Sequence, residues 1–263
     1  MGTRHAALVT GASSGIGASY ADRLARRGYD LVLVARRAER LDSLASELSR
    51  LHGVHVTTQP ADLSTVDGCL AVESALASGA HIDLLINSAG IGQLRNLAET
   101  TPGDLTSLID VNVLALARLS LAGLQTFRKR GGGAIVNISS ISAFRAVAGG
   151  AAYSASKAFV LNFTRSLQLE SAGTNVRFQC VLPGPVKTEF LTTAGVDDSL
   201  FPEGSFISAD ALVDAALAGF DLGEPVTIPT LGDMAAYQAA TDAFTELREK
   251  AGRVGVVASR YMA

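Results

Sequence analysis

Tyr153 and Lys157 are the residues whose types and spacing most directly indicate chemistry. They end the stretch Ser139–Lys157, which reads SSISAFRAVAGGAAYSASK. Positions i and i+4 share one face of a helix, so the two side chains would project together. A buried ammonium beside a phenol favours the phenolate and lowers the pKa of the tyrosine. Such a pair can protonate a carbonyl oxygen or take a proton from an alcohol.

A glycine-rich turn follows the first apolar run. Residues 10–17 read TGASSGIG, directly after Ala6–Thr10. Glycines at this spacing allow a tight turn from a strand into a helix, and they let the backbone approach a pyrophosphate. We expect a dinucleotide to contact Gly11, Ser13, Ser14, Gly15, Ile16 and Gly17.

The same turn also matches the GxSxG motif of hydrolases, in residues 11–15. That motif requires an acid and then a histidine later in the chain. The four histidines are His5, His52, His55 and His81, and no histidine late in the chain is available for a proton relay. The sequence therefore does not favour a hydrolase.

The end of the second apolar run bears on the type of dinucleotide. It reads Ala35-Arg36-Arg37, without the acid that would bind the 2′-hydroxyl of NAD. Two guanidiniums suit a 2′-phosphate, so we expect NADP(H) to be favoured over NAD(H). Solvated arginines in a loop are the alternative interpretation.

Short apolar runs alternate with helical patterns along the chain. The predicted strands are 6–10, 30–35, 54–58, 82–86, 134–138, 176–182 and 225–229, and the Thr101-Pro102 pair predicts the start of a long helix that ends near Phe127. This order predicts an α/β fold, a single-domain Rossmann-type doubly wound parallel sheet of about seven strands with helices on both faces. We expect one domain over 1–263, with 183–220 as the substrate-loop region.

Composition excludes several classes of function. The 263 residues have a formal net charge of −3, which gives no electrostatic footprint for nucleic acid or an anionic membrane. Cys69 and Cys180 lie in apolar stretches and suit a reducing compartment, and no metal-spaced cluster is present. The glycine turn begins at Gly11 and leaves no room for a signal peptide. We expect a cytoplasmic protein with no metal, nucleic acid or membrane partner.

Seven motifs in order resemble the classical short-chain dehydrogenase/reductase (SDR) family. They are TGASSGIG at 10–17, Asp62-Leu63, NSAG at 87–90, Asn112 in VNV, ISS at 138–140, YSASK at 153–157 and PGPVKT at 183–188. The likeness covers residues 6 to about 190, and Ser88 stands where the family more often has asparagine.

The resemblance implies an oxidoreductase and gives a role to each catalytic position. Tyr153 would be the acid/base, and Ser140 would hydrogen-bond the substrate carbonyl, although Ser139 and Ser142 are neighbours that spacing alone does not separate from it. Lys157 would hold the nicotinamide ribose hydroxyls and, together with the positive charge of the oxidised nicotinamide, lower the pKa of Tyr153. Asn112 would hold a water molecule in a proton relay to Lys157.

The resemblance also implies a wider set of binding residues. Beyond the turn, the arginines, Tyr153 and Lys157, the cofactor would contact Asp62, Leu63, Asn87, Ala89, Gly90, Pro183, Gly184, Val186 and Thr188. The substrate would contact Ser140 and Tyr153 together with Gln93, Phe144, Arg145 and Phe190. This mostly apolar set suits a hydrophobic ketone, aldehyde or secondary alcohol, and the role of Arg145 stays open. A homodimer or homotetramer is implied, and a non-catalytic nucleotide-sensing or scaffold protein is the alternative function.

Overall fold

The computed structural model describes residues 5–78, 81–195, 201–252 and 255–262. The chain divides into two compact units, Met1–Pro229 and Thr230–Ala263. Each unit is described by itself, and the single domain over 1–263 stays a prediction.

The helices and strands alternate through the first unit. The strands are Ala6–Thr10 (β1), Asp30–Ala35 (β2), Val56–Pro60 (β3), Ile82–Asn87 (β4), Gly133–Ile138 (β5), Val176–Val181 (β6), Val186–Lys187 (β7), Ile207–Ser208 (β8) and Val226–Thr227 (β9). The helices are Gly15–Arg26 (α1), Ala38–His52 (α2), Val66–Ser78 (α3), Pro102–Ile109 (α4), Leu116–Arg130 (α5), Ala151–Glu170 (α6), Glu189–Thr193 (α7) and Ala209–Asp221 (α8), and the second unit contains Ala235–Gly252 (α9).

Seven strands form one sheet in the order β3-β2-β1-β4-β5-β6-β9, and every neighbouring pair is parallel. The predicted doubly wound sheet is therefore confirmed. The strand order reverses between β1 and β4, where ligands bind beyond the carboxyl ends of such sheets. The loops after these two strands contain the glycine turn and the NSAG motif.

Both faces of the sheet are covered. Along β1, Ala7 and Val9 join a buried cluster with α1, α2 and α8, whereas Ala6 and Leu8 join a second cluster with α3, α5 and α6. This period of two is what a strand buried on both faces requires. The central strands are therefore nearly continuous apolar runs.

The long helix predicted from Thr101 is interrupted. Thr101 does cap it, because its hydroxyl accepts a hydrogen bond from the N–H of Asp104 at 3.1 Å. A π-helical segment, Asp110–Ala115, then separates α4 from α5 and contains Asn112. Wider turns of this kind occur frequently at functional sites, and no residue pattern in the sequence indicated this one.

Other elements also differ from the sequence expectations. The last strand is only Val226–Thr227, and the third is displaced to Val56–Pro60. A small parallel sheet of β7 and β8 lies in the stretch expected to be loop. By length and composition the helical stretch Pro102–Arg130 could cross a membrane. In an apolar window of 18 residues within it, 44% of the residues are buried inside the fold. The core helix of an α/β protein passes the same test of length and composition.

Candidate active site

The glycine turn is folded tightly against the loop after β4. Gly11 has φ +68°, and a Cβ there would lie 2.9 Å from the backbone of Ala89. A Cβ on Gly17 would collide with the carbonyl oxygen of Gly11. Both positions therefore require glycine, for conformation at Gly11 and for space at Gly17.

Thr10 fixes this turn to the next loop, a role that the sequence analysis missed. Its hydroxyl accepts hydrogen bonds from the N–H groups of Ser88 at 3.0 Å and Ala89 at 3.1 Å, and it donates to Ile86. The first turn of α1 has no side-chain cap at Ser14. Uncapped N–H groups at a helix N-terminus, beside a glycine cradle, fit a pyrophosphate.

Arg37 lies against this turn. Its Nε and Nη2 donate to Ser13 Oγ at 3.1 and 2.9 Å, and Nη2 donates to Ser14 Oγ at 2.8 Å. Its Nη1 donates to Glu189, and so does Arg40. The hydrogen bonds from Arg40 and Arg37 hold the pKa of Glu189 below its usual range. Arg40 was not predicted, although its place three residues after Arg37 puts both on one helix face.

Arg36 is exposed and faces a different carboxylate. Burial acts to raise the pKa of Asp62, but the N–H and hydroxyl of Ser64 and the charge of Arg36 together hold that pKa below its usual range. The Asp62 carboxylate thus orders the turn after β3. The side chain of the next residue, Leu63, is buried in the second core cluster.

Burial raises the pKa of Tyr153, and of the three serines Ser140 is the one whose side chain acts against that rise. The Ser139 hydroxyl donates instead to the backbone oxygen of Lys157 at 2.7 Å. Ser142 contributes its backbone N–H, which donates to Ser140 Oγ at 3.1 Å. The geometry therefore separates three serines that spacing left open.

Lys157 is buried behind Tyr153. It is 6% exposed, its Nζ donates to the Ile138 oxygen at 3.0 Å, and Nζ lies 5.7 Å from the Tyr153 ring centre. Burial lowers the pKa of Lys157 to about 8. Burial also raises the pKa of Tyr153 to about 12, with the Ser140 hydrogen bond acting against it. The expectation that Lys157 alone lowers the Tyr153 pKa is wrong, because desolvation disfavours both charged forms.

Asn112 joins this pair to the loop after β4. Its Oδ1 accepts from the N–H of Ile91 at 2.7 Å, and its Nδ2 donates to the Ile91 oxygen at 2.9 Å and to Ser156 Oγ at 3.2 Å. A Cβ on Gly90 would lie 3.5 Å from Asn112 Oδ1 and 3.6 Å from Lys157 Nζ. The Asn112 amide thus clamps residues 90–91 beside the lysine. Its part in a water relay stays a proposal.

Asn87 turns its side chain into the protein. Its Nδ2 donates to Asn137 Oδ1 at 2.9 Å and to Ser120 Oγ at 3.2 Å, and Asn137 donates to Thr164 on α6. This buried network ties β4 and β5 to the helix that carries Tyr153. A cofactor contact at Asn87 stays a prediction and would be made by its backbone.

The segment after β6 closes over the site. Pro183 accepts a hydrogen bond from the N–H of Ile141, next to Ser140, and Val186 pairs with Ile207 in the small sheet. A Cβ on Gly15 would lie 3.2 Å from the Thr188 methyl group, so Thr188 stands against the glycine turn. The Phe190 ring lies 5.8 Å from the Tyr153 ring. Three of the residues expected from PGPVKT onwards thus meet the other motifs.

A phenol beside a serine side chain, a buried lysine and a glycine cradle for a pyrophosphate at the strand-order switch are the parts of a nicotinamide-dependent oxidoreductase. Residues 5–198 match the family model of the short chain dehydrogenases. The chain belongs to the short-chain dehydrogenase/reductase family. It is therefore an oxidoreductase whose family acts on CH–OH and C=O groups with a nicotinamide dinucleotide.

Solved structures and curated relatives are similar over most of this short-chain dehydrogenase. A short-chain dehydrogenase from Sphingobium yanoikuyae in complex with NADPH is 44% identical, with a TM-score of 0.93 over 98% of this chain and 100% of that one. A bulky-bulky ketone specific alcohol dehydrogenase from Comamonas testosteroni is 37% identical, with a TM-score of 0.89 over 98% and 99%. An uncharacterised oxidoreductase from Myxococcus xanthus is 40% identical over 188 residues, 71% of this chain and 74% of that protein.

The expected substrate residues of this dehydrogenase fall into two groups. Phe190 packs on both Tyr153 and Gly92. Gln93, the residue after Gly92, is buried at 8% exposure. Phe144 and Arg145 are exposed on the loop after Ser140. The substrate loop also contains Phe206, whose ring meets that of Phe201 edge-on at 5.3 Å, and its residues 196–200 lie outside the described residues.

Proposed function

We propose that this protein is an NADPH-dependent carbonyl reductase, or the reverse alcohol dehydrogenase, with Tyr153 as the acid/base. The observation that supports it most is the buried Lys157 ammonium, which lies 5.7 Å from the centre of the Tyr153 ring, together with the Ser140 side chain that acts on the phenol. Bound nicotinamide would supply the hydride for the carbonyl carbon, or accept it from the alcohol. Tyr153 would give the proton to the oxygen, while the Ser140 hydroxyl hydrogen-bonds that oxygen as charge develops on it.

The pKa values of Tyr153 and Lys157 suit proton donation to a carbonyl oxygen. A Tyr153 pKa of about 12 keeps the phenol protonated at neutral pH, ready to donate. A Lys157 pKa of about 8 allows this amine to pass a proton near neutral pH, with Asn112 beside it to hold a relay water. In the oxidised cofactor the positive nicotinamide charge would lower the tyrosine pKa for the reverse direction.

The cofactor would be held by the residues named from the sequence. The pyrophosphate would lie on Gly11, Gly15, Ile16 and the α1 N-terminus, the 2′-phosphate on Ser13, Ser14, Arg36 and Arg37, and the nicotinamide against Val186 and Thr188. Preference for NADP(H) is supported by the arginines and by the NADPH-bound Sphingobium relative.

The substrate would be a hydrophobic ketone with two large substituents. Phe190, which packs on Tyr153, offers an apolar wall, and Phe144 lies on the loop after Ser140. The Comamonas relative is specific for bulky-bulky ketones. Substrate pockets of this kind are lined mainly by apolar side chains. Arg145 is exposed on the same loop as Phe144, and its role stays open.

Assembly and compartment follow the same family reasoning. The α5 and α6 helices carry exposed apolar side chains, among them Leu121, which is 55% exposed, and Phe159, which stacks on Phe163. We propose that these helices pair in a homodimer or homotetramer. Free, buried thiols at Cys69 and Cys180 support a cytoplasmic location.

The test is NADPH oxidation by the purified protein against a panel of bulky ketones, small ketones, aldehydes and 3-oxoacyl thioesters. We expect turnover, fastest with the bulky ketones. Tight NADPH binding without oxidation by any carbonyl would contradict the proposal and favour the nucleotide-sensing or scaffold alternative, which the complete catalytic set otherwise disfavours.

A further inference from the structure

Three consecutive residues at the start of α7 contact three different parts of the site. Thr188 stands against Gly15 in the glycine turn, Glu189 pairs with Arg37 and Arg40, and the Phe190 ring lies 5.8 Å from the Tyr153 ring. The family motif that the sequence showed ends at Thr188. Glu189 and Arg40 were not assigned any role by it.

The Glu189 carboxylate accepts from both arginines. Arg40 Nη1 donates to its two oxygens at 2.9 and 2.8 Å, and Arg37 Nη1 donates to Oε2 at 3.1 Å. The remaining donors of Arg37 hold Ser13 and Ser14 of the turn. The carboxylate therefore occupies an anion site formed by two guanidiniums at the place proposed for the 2′-phosphate.

This site is open to solvent and is a place where ligands can exchange. The side chains of Arg37, Arg40 and Glu189 are 44%, 49% and 54% exposed. Exposed ion pairs contribute little stability, so a competing anion can displace the carboxylate. A phosphate monoester carries nearly two charges and three strong acceptor oxygens, which makes it a better partner for two arginines than a carboxylate.

We propose that Glu189 is a specificity-determining residue for the cofactor, whose carboxylate competes with the 2′-phosphate for Arg37 and Arg40. Arg40 is then a second phosphate-binding arginine on α2. The inference rests on the proposed use of NADP(H). It implies that Glu189 weakens binding of 2′-phosphorylated ligands and leaves unphosphorylated ones unaffected.

The test measures binding of 2′,5′-ADP and 5′-AMP by calorimetry, without any turnover. For Glu189→Gln we expect the dissociation constant of 2′,5′-ADP to fall about three- to tenfold, as loss of an exposed ion-pair competitor allows. The dissociation constant of 5′-AMP should stay as in the wild type. For Arg40→Ala we expect weaker binding of 2′,5′-ADP alone.

A control and a combined variant make the result specific. Glu39 is exposed in the first turn of α2, so Glu39→Gln removes the same charge nearby and should leave both dissociation constants unchanged. In the Arg37→Ala/Arg40→Ala background, Glu189→Gln should not improve binding of 2′,5′-ADP, because the two guanidiniums for which the carboxylate and the phosphate compete are gone.

Three results would overturn the inference: no gain in Glu189→Gln, an equal gain for 5′-AMP, or an equal gain in Glu39→Gln. If one of these results occurs and the wild type binds 2′,5′-ADP more tightly than 5′-AMP, the inference on Glu189 fails but the proposed use of NADP(H) stands. If the wild type shows no preference between the two nucleotides, both fail.

Discussion

The two ends of the proposed cofactor cleft carry charge in opposite ways. At the Tyr153 end, the Lys157 ammonium is 6% exposed and bonds a backbone oxygen, with no carboxylate partner among the described residues. At the Arg37 end, two guanidiniums and the Glu189 carboxylate pair in the open, at 44% to 54% exposure.

The two ends differ in what determines the ionisation of their side chains. Burial moves the pKa values of Tyr153 and Lys157 to about 12 and about 8, so each proton there is governed by desolvation. At the exposed end, pairing and solvent screening govern the charges. We therefore expect substitutions at the buried end to have large effects on turnover and those at the exposed end to have graded effects on binding.

After Tyr153→Phe, the largest effect is expected for Lys157→Met, which keeps an unbranched side chain but removes the ammonium. We expect kcat to fall about 10²- to 10⁴-fold, because Tyr153 loses the amine that would return a proton to it after each turnover. Steady-state rates of NADPH oxidation measure this. Lys129→Met, at the exposed end of α5, is the control and should keep the wild-type rate.

Ser140→Ala should reduce kcat about 10²-fold, since it removes one hydrogen bond to the developing alkoxide. The same change at Ser142 should have little effect, because Ser142 acts through its backbone N–H. Equal losses in the two variants would contradict the placement of Ser140.

The buried lysine should also make stability depend on pH. Its folded pKa of about 8 lies below the value of 10.5 for a free lysine, so between these limits the unfolded chain binds the extra proton. Stability relative to Lys157→Met should rise by up to about 1.4 kcal/mol per pH unit above pH 8. Because burial raises the pKa of Cys180 to about 12, this thiol acts oppositely above pH 9, and denaturant titrations at pH 7, 8 and 9 are therefore the most direct.

The smallest and most selective effect is expected at the exposed end. Arg37→Ala should raise the KM for NADPH about tenfold and leave the KM for NADH nearly unchanged, because only the 2′-phosphate loses a charged partner. Arg27→Ala removes an arginine paired with Asp221 between α1 and α8 and should change neither constant. A uniform rise in both KM values for Arg37→Ala would indicate a merely structural role.

Features that are local in the sequence could be predicted from it, whereas contacts between distant residues could not. Periodicity gave the sheet and the helices, and motif order gave the family, because both are read along the chain. The π-helical segment around Asn112, the inward turn of Asn87 and the Glu189–Arg40 pair depend on side chains far apart in sequence. The Tyr153 and Lys157 pair alone was predicted to lower the Tyr153 pKa, whereas burial raises it, because the depth of burial is a property of the fold.

The central claim is that the Tyr153 hydroxyl moves the proton. Tyr153→Phe keeps the ring against Phe190 and removes only the hydroxyl. Single-turnover oxidation of bound NADPH by a bulky ketone, with NADPH affinity measured on the same sample by fluorescence, is the most direct test. We predict wild-type affinity and a hydride-transfer rate reduced at least about 10³-fold; an undiminished rate with the same affinity would contradict the account.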